Sequence, residues 1–255
     1  MSHKWTLANP TLDSVVTSWQ KRLPRFRKNQ QHDAHDAWTS IIDLIFTSAR
    51  EENFRQRRNP TKPNRAIVEA QVEDLQLSTS ATFTRTLICQ CGTAKENHVS
   101  RAREFVLPPP SSPDCTLQSL VNQSLTPKQS LVTCYCATCQ KDTPHASSEQ
   151  YTLSPAQQIL TLFRNTALSE FDAPVPLRDI AQFSSPCDPL RSFELAAGMI
   201  HYASTPKTRH FCSFRRASTD SWLYTNDSTA FLINSAQLEQ TVPYVLFYIS
   251  TATTN

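Results

Sequence analysis

Two groups of residues have the types and the spacing to do chemistry. The first is a histidine followed, one strand later, by an amide and a carboxylate: Arg209-His210-Phe211-Cys212, then Trp222-Leu223-Tyr224-Thr225-Asn226-Asp227. A histidine on one β-strand and an Asn-Asp pair just past the next set an imidazole beside an orienting group. The partner holds one ring nitrogen protonated and leaves the other free to act as a base. The second group is Cys89-x-Cys91 together with Cys136-x-x-Cys139. Tetrahedral zinc with thiolate ligands takes two short-range cysteine pairs held close in space. Cys134 is a fifth thiol that could replace either member of the second pair, and His98 and His145 lie nearby as reserves.

The elements that must position these groups follow from composition and periodicity. The chain has 255 residues, 39% hydrophobic and 18% charged, enough for a real core. A net charge of +3 is too small to argue for nucleic acid. The basic residues Lys21, Arg22, Arg25, Arg27 and Lys28, and those from Arg50 to Arg65, read as solvated surface. No stretch has the makings of a signal peptide or a membrane span, so neither a membrane nor an oxidising compartment is expected. The 8 cysteines then read as free thiols or metal ligands in a cytoplasmic or nuclear setting. With 2 glycines against 17 prolines, the chain must turn mainly with Pro, Asn, Asp and Ser.

Leu12, Val15, Val16 and Trp19 recur at helical spacing up to Leu23-Pro24. Ala34, Ala37, Trp38, Ile41, Ile42, Ile45 and Phe46 form the apolar face of a stronger helix, with Asp33 and Asp36 in its first turn. Arg50 to Pro63 reads as that helix's end running into a surface loop. From Ala66 to Phe105 the pattern is β, with a tight turn near Gly92. Pro108 to Pro113 is a stiff loop, Leu117, Leu120 and Val121 mark a short helix, and Cys134 to Cys139 a knuckle, after which Tyr151 and Leu153 read as strand. Ile159 to Phe163 is a buried strand, and Ala173 to Pro189 a polar, proline-rich excursion. Phe193–Tyr202, His210–Arg216, Trp222–Thr225, Phe231–Asn234 and Tyr244–Ile249 read as successive antiparallel strands. Helices first, a cysteine-bearing β insert, then a β-rich end is an α+β order.

Four separated blocks in this order resemble the ubiquitin-specific protease family of thiol proteases (ubiquitin carboxyl-terminal hydrolases, peptidase C19). Gln31-His32-Asp33-Ala34-His35-Asp36-Ala37-Trp38 is similar to that family's Gln-Gln-Asp-Ala-His-Glu-Phe-Leu helix start. Leu87 to Gly92 before Phe105-Val106-Leu107-Pro108, and Cys136-x-x-Cys139 before Pro155 to Arg164, resemble its two flanked cysteine pairs. Phe193-Glu194-Leu195 through His201, then His210, Trp222, Asn226-Asp227-Ser228 and Tyr244 to Tyr248, resemble its histidine and terminal boxes.

The resemblance implies a papain-like fold with a helical thumb, truncated here, over residues 1–65. It implies zinc-ribbon-like fingers over about 66–155 and a β-rich palm over about 156–255. It implies ubiquitin or a ubiquitin-like protein as partner, other proteins besides, and no nucleic acid or membrane. It assigns the base to His210 and the orienting group to Asn226 with Asp227 adjacent, and zinc to Cys89, Cys91, Cys136 and Cys139. The family's nucleophile segment, Asn-x-Gly-Asn-Thr-Cys, lies ahead of the Gln-Gln-Asp helix, whereas here no cysteine precedes Cys89. The expectation is therefore a catalytically incompetent ubiquitin-binding or scaffolding pseudoenzyme. The alternatives are an active deubiquitinase whose cysteine box lies upstream or on another chain, and a zinc-ribbon protein-interaction domain.

Cys212 shares a strand face with His210 but lacks the helix N-terminus that lowers a nucleophile's pKa, and packing is its expected role. Arg209 stands where the family carries Gly, and Phe211 where it carries Tyr; the large cation is expected to narrow the groove for a Gly-Gly tail. His32 and His35 beside Asp33 and Asp36 are read as structure and ligand contact, as the family helix implies, His201 as core, Cys115 and Cys187 as free thiols, and Trp38 and Trp222 as packing.

Overall fold

The computed structural model of the chain describes residues 5–6, 17, 21–26, 34–57, 65–109, 115–164, 182–186, 188–205, 208–227 and 229–251. In chain order the helices are α1 (Ala34–Arg57), α2 (Arg65–Thr79), α3 (Leu117–Leu125) and α4 (Ser235–Glu239). The strands begin with β1 (Trp5–Thr6), β2 (Ala81–Cys89), β3 (Ala94–Ala102), β4 (Phe105–Leu107), β5 (Lys128–Cys136), β6 (Lys141–Thr152) and β7 (Ile159–Arg164). They continue with β8 (Gln182–Ser185), β9 (Asp188–Thr205), β10 (Thr208–Ser218), β11 (Ser221–Asn226), β12 (Thr229–Asn234) and β13 (Pro243–Ser250). The chain divides into two compact units, Met1–Gln76 with Phe171–Pro176 and Ala196–Leu246, and Leu77–Glu170 with Leu177–Leu195 and Phe247–Asn255.

In the first unit, antiparallel strands run in the order β1-β12-β11-β10-β9. Side chains alternate across a strand, so Cys212 and Phe214 on β10 share a buried face with Trp222 and Tyr224 on β11. Trp222, 1% exposed, anchors this face. Its ring meets Phe214 edge-on at 5.7 Å, the Arg216 guanidinium lies 5.3 Å above it, and its indole N–H donates to Ser235 Oγ at 3.1 Å. Asn234 then starts α4 with a capping box, its side chain accepting from the Gln237 amide while Gln237 accepts from the Asn234 amide. On α1, Ile42 and Phe46 are buried one turn apart, as an amphipathic helix requires.

In the second unit, β3-β2-β6-β5 form a four-stranded antiparallel sheet. Elsewhere β4 pairs parallel to β7. Leu117, Leu120, Val121 and Leu125 line the buried face of α3, whose Ser124 hydroxyl donates to the Val106 carbonyl of β4. The guanidinium of Arg191, buried, donates to the carbonyls of Ser154, Pro155 and Gln157 and pins the bend between β6 and β7.

The structure corrects the sequence reading at several places. Residues from Arg65 to Thr79 are helical, not β. Val68, Val72 and Leu75 sit at helical spacing among Ala, Glu and Gln, with no glycine or proline to interrupt, and that pattern prevails over the β-branched types. α1 ends at Arg57, inside the Arg50 to Pro63 stretch read as its end. The proline-rich excursion contains β8, and β9 already begins at Asp188. β6 ends at Thr152, so Leu153 lies just outside it. The short helix expected at Leu12 to Trp19 lies almost wholly outside the described residues, as do Gln31, His32, Asp33 and Cys187.

Candidate functional site

Strand register brings the imidazole and the amide together. β10 and β11 pair Ser213 with Thr225. One step further along that register, Asn226 faces Cys212 and is diagonal to His210, within reach of long side chains. His210 Nε2 lies 2.7 Å from Asn226 Oδ1. A carbonyl oxygen only accepts, so Nε2 carries the proton, and in the neutral ring Nδ1 keeps its lone pair. The Asn226 backbone is held too, its carbonyl accepting from the Thr229 hydroxyl at 2.8 Å. Asp227 follows in the left-handed region, φ 50°, at the exposed turn; the ring's partner is Asn226.

The pair borders a cleft of about 410 Å³, lined also by Tyr202, Tyr224, Phe231 and Gln237. Tyr224 donates through its hydroxyl to that of Tyr202 at 3.1 Å, giving the apolar wall a polar rim. Cys212 is 2% exposed and hydrogen-bonded with Tyr224, and burial pushes its thiol above the ordinary range. It is the opposite of an activated thiolate.

The cysteine pairs converge because β6 is the shared neighbour of the strands that carry them. β2 pairs Cys89 with His145, and β5 pairs Cys136 with Lys141, so both hairpin ends meet over β6. At the first tip Gly92 takes φ +84°, a conformation that glycine adopts without strain, and its amide donates to the Cys89 carbonyl at 2.9 Å. At the second, the Gln140 amide donates to the Cys136 carbonyl at 2.8 Å. The sulfurs of Cys89, Cys91, Cys136 and Cys139 all lie within 4.8 Å of one another. Cys89 to Cys139 is 3.8 Å and Cys91 to Cys136 is 3.7 Å. A tetrahedron with metal–sulfur bonds of about 2.3 Å has sulfur–sulfur edges of about 3.8 Å. A disulfide would need about 2.05 Å. The donor set therefore fits a zinc ion.

Hydrogen bonds act unequally on three of these thiols. The Thr93 hydroxyl and amide hold Cys91 down to about 6, and the Thr143 hydroxyl lowers Cys89. Cys139, facing Cys91 and Cys136, is pushed up to about 12. A central divalent cation would supply the charge that lets all four ionise together.

The remaining expectations fall out by position. Cys134 lies 3.3 Å from His145 Nδ1, and that ring is fully buried, so the fifth thiol and one reserve histidine face each other and not the four sulfurs. His98, exposed on β3, is likewise outside the group. His201 stacks on Phe211 with ring centroids 4.7 Å apart. Cys115 is buried, 3.2 Å from Ser119 Oγ, and Trp38 is half-buried. Sequence reasoning missed Thr93 and Thr143 beside the sulfurs and Tyr202 and Tyr224 in the cleft. The Thr93 position, two residues beyond Cys91, was open to notice; Thr143 needed the β2–β6 register.

Comparison with known proteins agrees with this architecture. No curated protein matches the chain by sequence. Among solved structures, the SAGA DUB module Ubp8/Sgf11/Sus1/Sgf73 bound to monoubiquitin matches with a TM-score of 0.66 at 16% identity, over 94% of this chain and 53% of that one. The same module bound to ubiquitin aldehyde gives 0.61 at 15% identity, over 94% and 53%. Yeast SAGA DUBm with a variant Sgf73 gives 0.59 at 17% identity, over 86% and 50%. The chain thus spans about half the length of the structures it matches, and it shares their α+β, papain-like fold. The family model of the ubiquitin carboxyl-terminal hydrolases matches residues 9–248, which take in both the imidazole–amide pair and the four-sulfur cluster, and the chain belongs to that family.

Proposed function

We propose that this chain is a ubiquitin-binding module that carries the base half of a thiol-protease site and does not cleave by itself. His210 is the base, acting through Nδ1, and Asn226 orients it, with Asp227 shaping the adjoining turn. Residues 1–65 would form the partial thumb, 66–155 the fingers and 156–255 the palm. The fingers would hold one zinc ion through Cys89, Cys91, Cys136 and Cys139, a structural role that ties two hairpin tips together. Ubiquitin is the expected ligand, since the matched modules were solved with monoubiquitin and with ubiquitin aldehyde. A nuclear or cytoplasmic setting goes with that ligand and with free thiols; no helix among the described residues is long and apolar enough to cross a membrane.

One observation carries the reading. The imidazole is aligned at 2.7 Å from its orienting amide, while every described thiol is engaged elsewhere. Four sulfurs face each other, Cys134 faces His145, Cys115 faces Ser119, and Cys212 is buried against Tyr224. Acyl transfer by this route needs a thiolate that a base can deprotonate. The same alignment also serves a second reading, in which an upstream segment or another chain supplies the thiol and His210 Nδ1 takes its proton.

Two measurements test this. Titration with free ubiquitin should show saturable binding; no binding would leave a zinc-ribbon interaction domain. Incubation with a fluorogenic ubiquitin C-terminal substrate should release no fluorophore, with or without an alkylating agent. Thiol-dependent turnover by the chain alone would overturn the incompetent reading.

A further inference from the structure

The first cysteine pair has the shorter and less usual spacing for zinc, and it is the pair whose sulfurs receive hydroxyl contacts. Thr143 Oγ1 lies 3.2 Å from Cys89 Sγ. Thr93 Oγ1 lies 3.3 Å from Cys91 Sγ, and Thr138 Oγ1 stands 3.1 Å behind Thr93 Oγ1. As a thiol, Cys91 donates to Thr93. As a metal-bound thiolate its sulfur only accepts, so the same contact reverses and Thr93 donates. Thr138 can then donate to Thr93, and a chain of two hydroxyls ends on the sulfur. The Cys91 amide reaches Cys89 and the Thr93 amide reaches Cys91, so each sulfur of this pair has one backbone and one hydroxyl donor. Thr143 is buried and cannot be replaced by bulk water in that role, whereas Thr93 is exposed and held by Thr138.

We propose that Thr143 and Thr93 are positioning residues of the metal centre: their hydroxyls orient the Cys89 and Cys91 sulfurs and make the short Cys-x-Cys pair a full partner of Cys136-x-x-Cys139. Donors behind a first ligand fix its orientation and tune its electron density, and their removal typically weakens metal binding by 10- to 100-fold. The inference rests on the zinc reading, and the experiment separates the two. The probes are zinc, measured by competition with a chromophoric chelator, and cobalt(II), measured by its sulfur-to-metal charge-transfer band, on the full chain. The variants are Thr143→Val, Thr93→Val and the double variant, with Thr143→Ser and Thr93→Ser as controls that keep the hydroxyl.

The expected result is one zinc per parent chain and a zinc dissociation constant raised on the order of 10-fold in each valine variant. The cobalt band should move to longer wavelength as each thiolate loses its donor, while both serine variants stay near the parent. Valine keeps the shape and the strand preference of threonine, so far-ultraviolet circular dichroism should not change. A parent that binds no zinc overturns the metal reading and this inference together. A parent that binds zinc, with valine variants of equal affinity and unmoved bands, overturns this inference alone.

Discussion

Gly198 on β9 lies hard against Phe214 and the Val245 carbonyl, and replacing it with alanine tests how rigidly these strands are packed. A Cβ built there would lie 2.4 Å and 2.8 Å from two carbons of the Phe214 ring and 2.7 Å from the Val245 carbonyl oxygen. The shortest contact is about 1 Å inside the 3.4 Å at which ordinary contact begins. The ring has little room to yield, because it is 2% exposed and already meets Trp222 edge-on. The carbonyl belongs to the β13 backbone and can move only with its strand. Overpacking of this kind costs about 1–3 kcal/mol. Restricting the unfolded chain by the Gly→Ala change returns roughly 0.4–1 kcal/mol. The net expectation for Gly198→Ala is a loss of about 1–2 kcal/mol, or a melting temperature lower by roughly 2–8 °C at this chain length. Urea unfolding followed by tryptophan fluorescence reads it directly. Combining the change with Phe214→Leu removes the ring contact but not the carbonyl contact, so the second substitution should cost about 1 kcal/mol less than it does alone. A midpoint for Gly198→Ala equal to or above the parent's would refute the close approach.

Three further outcomes are expected elsewhere in the chain. If the four sulfurs hold zinc as proposed, a strong chelator should lower the unfolding midpoint and raise amide exchange in residues 81–102 and 128–152; unchanged exchange there would deny the ion a structural role. Gln140 holds φ 55° at the second hairpin tip, so Gln140→Gly should stabilise the chain by about 1 kcal/mol, and a loss of stability would count against that backbone geometry. In the metal-free chain, Cys91, lowered from 9.0 to about 6, should be mostly thiolate at pH 7 and should alkylate more slowly only as pH falls through about 6. Cys212, raised by burial, should remain unmodified over the same range, as peptide mapping after iodoacetamide treatment would show.

The parts of the fold that were legible in the sequence are those where one physical rule acts alone. Strict alternation around Cys212, Phe214, Trp222 and Tyr224 allows one face to be buried, and the strands from β9 to β13 followed from it. The cysteine spacings named the four sulfurs because few chemistries use such pairs. The segment from Arg65 to Thr79 failed because β-branched residues and helical spacing point in opposite directions there, and type was weighed above period. Thr143 was invisible for another reason. Its contact with Cys89 depends on the pairing of β2 with β6, strands far apart in the chain, and no local pattern encodes that register. Cys134 shares its face of β5 with Cys136, and His145 its face of β6 with Thr143, so what keeps them out of the cluster is their position along the strands and not the face they occupy.

The alignment of His210 with Asn226 has a cause that does not involve a nucleophile. Their separation is set by the β10–β11 register, and that register is held by Trp222 between Phe214, Arg216 and Ser235. Each of those contacts is core packing or a cap, and losing a thiol from the site would disturb none of them. An aligned imidazole is therefore what this framework produces whether or not a sulfur stands opposite Nδ1. It follows that substitutions at Trp222 should disrupt the pair as severely as substitutions at Asn226 itself. Following the His210 Nε2–H resonance would distinguish the two cases. Asn226→Ala removes the acceptor but leaves the strand, whereas Trp222→Ala removes a side chain that is 1% exposed and should cost about 3–5 kcal/mol of folding free energy as well. A protected Nε2–H signal surviving in Trp222→Ala would show that the pair is held by something other than the ladder.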